Sequence, residues 1–347
     1  VMFEKKYTRR EFIRLAAAGL LGLAFRPLFK NWESFAGEDV LRICTQSVSV
    51  YSQPDDTSEI RFQRFRDDLV HVYREVISDR SPKYNPRWYR VWGGYIHSAH
   101  TYRVTPRLNP VLPHIPESGL LAQITVPYTQ AMRKDGRGGW RPVYRLYADS
   151  NHWVTGVEEG PDGEPWYKLI DELLEVDYHV PAAHMRAFTS ADFAPISPDV
   201  PPEKKRILVS IAEQTLTAYE GDQVVLHTEV STGIPSPKVP GRIPTSTPRG
   251  TFHIQVKMPS KHMGDGNLTD DIEAYELPGV PWTGFFEPKT GVAFHGAFWH
   301  NNFGRMMSHG CVNMRVHEAQ WLYRWTTPVA EMDHWDKKGY GTVVIVD

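Results

Sequence analysis

Ser308-His309-Gly310-Cys311-Val312-Asn313 places a thiol directly after a turn-forming glycine. A free thiol titrates at about 8.5 and is mostly protonated at neutral pH, so a reactive one needs a base or a positive environment. Both lie close in sequence: His309 is two residues upstream, and His295 ends an apolar run with Gly296 behind it. Apolar residues at 316, 319, 322 and 323 predict a helix over Val316 to Trp325. Its N-terminal amides would favour a thiolate. Gly310 lets the backbone turn tightly enough for successive amides to face one point, as an oxyanion requires. Nucleophile, base and oxyanion donors together make an acyl-transfer site.

The rest of the composition narrows the chemistry. The only other cysteine, Cys44, reads as a buried small hydrophobe. Two distant thiols make neither a disulfide framework nor a four-cysteine zinc site. His295, His300 and His309 have no Cys or carboxylate at ligand spacing, so no metal is expected, and thiol acyl transfer needs no cofactor. Hydrophobic residues are 41%, charged residues 23% and the net charge −2, an ordinary globular balance with no basic field for nucleic acid.

The N-terminus reads as an address. Thr8-Arg9-Arg10-Glu11-Phe12-Ile13-Arg14 precedes an apolar run from Leu15 to Phe25, too short to span a bilayer comfortably. The paired arginines resemble the twin-arginine export motif, and Ser34-Phe35-Ala36 resembles a cleavage site. Residues 1–36 are thus expected to direct export to the cell wall or the extracytoplasmic face of the membrane. Left uncleaved, they would tether the protein to that membrane.

Residues 40–194 read as short strands and turns, apart from a helical pattern over Asp171 to Val176. Trp88-Tyr89-Arg90-Val91, followed by Gly94-Tyr95-Ile96-His97 and Ala99-His100, is echoed further on. The later copy runs Trp166-Tyr167-Lys168-Leu169, Asp177-Tyr178-His179-Val180 and Ala183-His184. The echo resembles the small SH3-like barrels of bacterial wall enzymes and suggests two, over 40–115 and 120–194. Each would open with a strand such as Ser47 to Tyr51 or Ala122 to Val126, with its aromatic pairs as core. A proline-rich linker over 195–203 leads to a β domain over 204–347. Its strands are expected at 206–211, 216–219, 224–232, 251–257, 291–295 and 342–346. Lys261 to Glu276 reads as a long insertion able to act as a lid, with Tyr275, Trp282 and Phe285 as candidate pocket walls.

Ser308 to Asn313, with His295-Gly296 upstream, resembles the L,D-transpeptidase catalytic domain. Gln214-Thr215-Leu216-Thr217-Ala218-Tyr219 with Val224-Val225, Ser231-Thr232-Gly233 and Thr247-Pro248-Arg249-Gly250-Thr251-Phe252 resemble that family's other segments, in the same order. The resemblance implies a mixed β-sheet domain with one helix after the cysteine. It implies Cys311 as nucleophile, His295 as base oriented by Gly296, and His309 and Gly310 shaping the oxyanion region. Ser308, Asn313 and Arg315 would support or contact substrate. The partners would be peptidoglycan stem peptides, a donor tetrapeptide and an acceptor amine, joined by a monomeric enzyme into 3→3 cross-links. Alternatives are an L,D-carboxypeptidase or wall-protein attachment through the same thioester, or a non-catalytic wall-binding protein. One departure stands out. Only 12 residues separate His295 from Ser308, fewer than the family's usual number, and this makes His300 a rival base.

Overall fold

The computed structural model describes residues 32–347 except Ala36, Arg137 and residues 238–243. The expected export segment lies outside these residues, as does Ala36 of the cleavage site; Trp32–Phe35 forms a 3-10 turn. Among the described residues no helix is long and apolar enough to cross a membrane. Strand dominates, as the sequence predicts, and the longest described helix is Val316–Trp325.

The strands from Val40 to Val104 make a three-stranded and a five-stranded sheet, and those from Leu120 to Ala187 a single seven-stranded sheet. The two sequence echoes follow the same local path. Arg87–Val91 pairs antiparallel with Gly94–His97, and Pro165–Ile170 with Asp177–Pro181; each pair leads through a 3-10 turn into another strand. Their tyrosines, Tyr89 in one cluster and Tyr167 and Tyr178 in another, are buried among aliphatic residues. The pattern over Asp171 to Val176 is a turn instead of a helix. Asp171 Oδ1 accepts the Leu173 and Leu174 N–H groups, a local alternative to the helical ladder.

Residues 204–347 form two five-stranded sheets. One is ordered Gln223–Glu229, Thr215–Glu220, Lys205–Ser210, Val343–Val346, Gly250–His253. The other runs Val312–Met314, Val292–Gly296, Glu276–Glu287, Val256–Gly264, Lys337–Lys338. The second sheet positions the thiol. Val292–Gly296 pairs in parallel with Val312–Met314, setting Phe294 opposite Val312 and His295 opposite Asn313. On its other side it pairs antiparallel with Glu276–Glu287, setting Phe285 opposite Ala293.

Strand side chains alternate between faces, so this register sorts the residues into two sets. Phe286, Phe294, Val312 and Met314 turn to the core with Trp282, beneath the helix Val316–Trp325. Phe285, Ala293, His295 and Asn313 share the opposite face. The helix carries buried Val316, Ala319, Leu322, Tyr323 and Trp325, matching its predicted period. Two buried lysines satisfy its C-terminal carbonyls. Lys257 Nζ donates to the carbonyls of Tyr323, Thr326 and Pro328, and Lys205 Nζ to those of Trp325 and Ile196.

Candidate active site

Cys311 leaves a turn and enters the strand Val312–Met314. Its Sγ lies 3.6 Å from the Gly291 carbonyl, to which the thiol donates, and it accepts the Ala293 amide. The thiol therefore sits at the start of the strand that bears His295 two residues further on. Cys311 is half-buried, and burial pushes its thiol up to about 11, only partly offset by the Ala293 amide. The low thiol pKa expected from a nearby helix start is not found. The helix begins five residues beyond the cysteine, with a strand between them.

His295 is 2% exposed, and its Nδ1 lies 3.1 Å from the Gly296 carbonyl. A carbonyl only accepts, so Nδ1 carries the proton and Nε2 keeps the free lone pair a base needs. Burial lowers the imidazole to about 4, against the opposing Gly296 contact. Thiol and imidazole are thus both neutral at pH 7, and the thiol is hydrogen-bonded to Gly291 instead of His295. Trp299 packs 5.6 Å from the His295 ring.

His300, the rival base, is committed elsewhere. Its Nδ1 accepts the Asn302 N–H at 3.2 Å and its Nε2 faces the Asn313 side-chain amide at 3.0 Å. Asn313 is 2% exposed and serves this contact, so it is not open to substrate. Arg315 is also occupied. It pairs with Glu229 at 3.0 Å and with Thr228 and Glu318, and it lies over the Phe303 ring. Trp282 has no exposed surface and packs against Phe188, Phe193 and Tyr323, so it walls no pocket. Phe285 stands three residues from Trp282 along the strand, hence on the other face, beside Ala293. Thr283 flanks His295 by the same register; its Oγ1 is buried without a partner.

The turn before the cysteine is fixed by segments distant in sequence. Gly310 has φ +124°, which disfavours any side chain there. Its N–H donates to Ser308 Oγ at 3.2 Å, so this amide is not free for an oxyanion, while Ser308 Oγ donates to the Cys311 carbonyl. Thr247 Oγ1 donates to the Gly310 carbonyl and accepts the Gly233 N–H, both at 2.8 Å. Gln214 in turn holds Thr232, donating to its Oγ1 at 2.7 Å and accepting its N–H at 2.9 Å. Sequence alone assigns no role to Thr247, Gly233 or Gln214, although each lies in a segment that resembles the family. Their buried polar atoms satisfy one another and so link the three segments to the turn.

The expected insertion is mostly loop, with strand at its two ends. Val256–Gly264 and Glu276–Glu287 are paired, leaving a loop over 265–275. That loop ends beside the thiol: exposed Tyr275 meets exposed His309 edge-on at 5.3 Å. Partial burial, then Cys311 and Asp265, raise the Tyr275 phenol. The base of the loop is anchored on the seven-stranded sheet. His262 lies 2.8 Å from Asp171 through Nδ1 and 2.8 Å from Glu276 through Nε2, all three buried. Against the cost of burial, these carboxylates raise the imidazole, Asp171 foremost. Arg66 pairs with Glu273 at 2.8 Å further along the loop.

Residues 204–346 match the YkuD family, the L,D-transpeptidase catalytic domain. No curated protein matches the chain. Among solved structures the chain is similar to the Enterococcus faecium L,D-transpeptidase C442S mutant, at 23% identity and TM-score 0.31 over 42% of this chain and 50% of that one. It is similar to the L,D-transpeptidase of Xylanimonas cellulosilytica at 25% identity and TM-score 0.29, over 41% and 60%. With the Mycobacterium smegmatis L,D-transpeptidase it shares 21% identity and a TM-score of 0.32, over 50% and 73%. The chain spans half the length of the first of these and three fifths of the second. Residues 204–346 are an L,D-transpeptidase catalytic domain of the YkuD family.

Proposed function

We propose that the protein is an exported peptidoglycan L,D-transpeptidase that forms 3→3 cross-links through a thioester on Cys311. The observation that carries this reading is a thiol held against Gly291 and Ala293, at the start of the strand whose far end bears a buried imidazole with no partner on Nε2 among the described residues. With both groups neutral, deprotonation accompanies attack instead of preceding it.

Sγ attacks the carbonyl between the diamino acid and D-alanine of a donor tetrapeptide while His295 Nε2 takes the thiol proton. The carbon–nitrogen bond then breaks, the proton passes to the departing D-alanine amine, and the thioester remains. An acceptor amine adds to that carbonyl, giving a proton to Nε2, and the sulfur leaves and is reprotonated by it. The oxyanion is assigned to the Cys311 amide, the Gly310 N–H being held by Ser308. Tyr275, His309 and Phe285 line the approach, and residues 40–115 and 120–194 are read as two SH3-like units.

The test is incubation with disaccharide-tetrapeptide, with products read by mass spectrometry. Cross-linked dimers support transpeptidation, and tripeptide alone would make the enzyme an L,D-carboxypeptidase. An acyl-enzyme that persists in Cys311→Ala would refute the assignment of the nucleophile.

A further inference from the structure

The loop between His295 and Ser308 is held by two different parts of the protein. Its later half is tied within the C-terminal sheets: Gly304 N–H donates to the Val230 carbonyl at 2.9 Å and Met307 N–H to that of Thr232 at 3.0 Å. Ser231 Oγ adds a bond to the Asn302 carbonyl at 3.1 Å. The half that follows His295 is tied to Met314 through the Ala297 N–H at 2.9 Å and to Asn313 through His300, and beyond these it leans on the first β region. Arg42 Nη2 donates to the Phe298 carbonyl at 2.7 Å, Asn301 N–H to the Ala99 carbonyl at 2.9 Å, and Asn85 Nδ2 to the Asn301 carbonyl at 3.1 Å.

Arg42 is 2% exposed and built into a cross-region network. Its guanidinium lies 4.2 Å over the Tyr147 ring and 3.5 Å from Asp67, which Arg145 holds at 2.7 Å. The Phe298 ring meets Tyr147 and, edge-on at 5.0 Å, Trp299, which is the residue packed on His295.

We propose that Arg42 is a positioning residue for His295, fixing the Phe298-Trp299 corner so that the imidazole stays oriented and dry. This rests on the reading of His295 as base. A short loop has little of its own structure to hold such a corner, and a buried arginine from a region more than 200 residues upstream supplies the hold. Without the guanidinium the Phe298 carbonyl and Asp67 lose a buried partner, the corner loosens and water reaches the ring. His300 is a titratable group within electrostatic reach of His295 and is itself beside His100; the causes of the lowered His295 pKa are burial and the Gly296 contact, with no carboxylate among them. Hydration therefore has one direction of effect, toward the ordinary value of 6.5.

The experiment uses the full chain and measures D-alanine release from disaccharide-tetrapeptide across pH. Arg42→Met is expected to lower kcat at least about tenfold with KM little changed, as misplacement of a catalytic group does. It should also move the acid limb of the profile upward from about 4 toward 6.5. Arg42→Lys keeps a donor for the carbonyl and should recover most of both. A folded Arg42→Met with wild-type kcat and acid limb overturns the proposal. If that variant does not fold, Asn85→Ala removes one bond to the same loop, together with the bond Asn85 accepts from Ser98 Oγ, and the same readouts decide. His295→Gln is run in parallel: if it keeps wild-type activity, the reading of the base fails, whereas an inactive His295→Gln beside a wild-type Arg42→Met overturns only the positioning role.

Discussion

Gly233→Ala would press directly on the turn that presents the thiol. Gly233 has no left-handed φ, so alanine brings no backbone strain and the effect is purely steric. An added Cβ would lie 2.1 Å from the Thr245 carbonyl and 2.8 Å from both N and Cα of Gly310, where real contacts stay above 3.0 Å. Thr245 must therefore retreat by nearly 1 Å, or the Gly310 turn must shift with it. The Gly233 N–H to Thr247 bond, and through Thr247 the hold on the Gly310 carbonyl, move together. Overpacking of this kind costs about 1–3 kcal/mol, which a domain of ordinary stability survives. Displacement of the thiol by a good fraction of an ångström costs up to about 100-fold in rate, roughly 2.7 kcal/mol of barrier. The assay is single-turnover acyl-enzyme formation followed by intact mass spectrometry, with thermal unfolding measured on the same samples. Expected is a folded protein acylating some 10- to 100-fold more slowly. A rate within about threefold of wild type, under about 1 kcal/mol of barrier, would mean that the turn does not depend on this contact.

Thr247→Val keeps the shape but removes both the donor to Gly310 and the acceptor for Gly233; acylation should slow and stability fall by about 1–3 kcal/mol, read from denaturant midpoints. Lys257→Met strips the carbonyls of Tyr323, Thr326 and Pro328 of their donor, which should cost at least about 2 kcal/mol while leaving the pH profile of acylation unchanged. Acid should destabilise the protein below pH 6.5. Burial lowers His152, His184, His295 and His300 to about 3, 4, 4 and 3, so the stability gained by keeping them neutral is whole above 6.5 and lost as pH falls through those values. His262, raised by its carboxylates, opposes these four and also His97, His100 and His179, which burial lowers too, and a melting temperature that climbs steadily from pH 6.5 to 4 would contradict this balance. Asp171→Asn removes a charge from the anchor of the 265–275 loop and should raise KM for the donor more than it lowers kcat; equal losses in both would count against the loop as a substrate wall.

The helix Val316–Trp325 was legible because its apolar period is local, and the Cys311 turn because its residue types are distinctive. The strand Glu276–Glu287 escapes a sequence reading because Pro278, Gly279, Pro281 and Gly284 break the alternation that marks a strand. The faces of Trp282 and Phe285 follow from strand parity, which needs the strand to be recognised first. The environment of the thiol was not legible at all. The contacts of Arg42 and Asn85 with the loop after His295, and of Asp171 with His262, come from residues far upstream whose approach no local pattern encodes.

The alternation that puts Ala293 and His295 on one face and Phe294 on the other also sets how the chain can change length. Deleting one residue between Val292 and His295 would exchange imidazole for phenyl across the sheet, emptying the core and the site together. The loop from Ala297 to Met307 has no such parity to keep. Between the strands Val292–Gly296 and Val312–Met314, a change of length is expected to be borne there, within the reach of Arg42, Ala99 and Asn85. The length of this loop and the grip of the first β region are then expected to vary together among relatives.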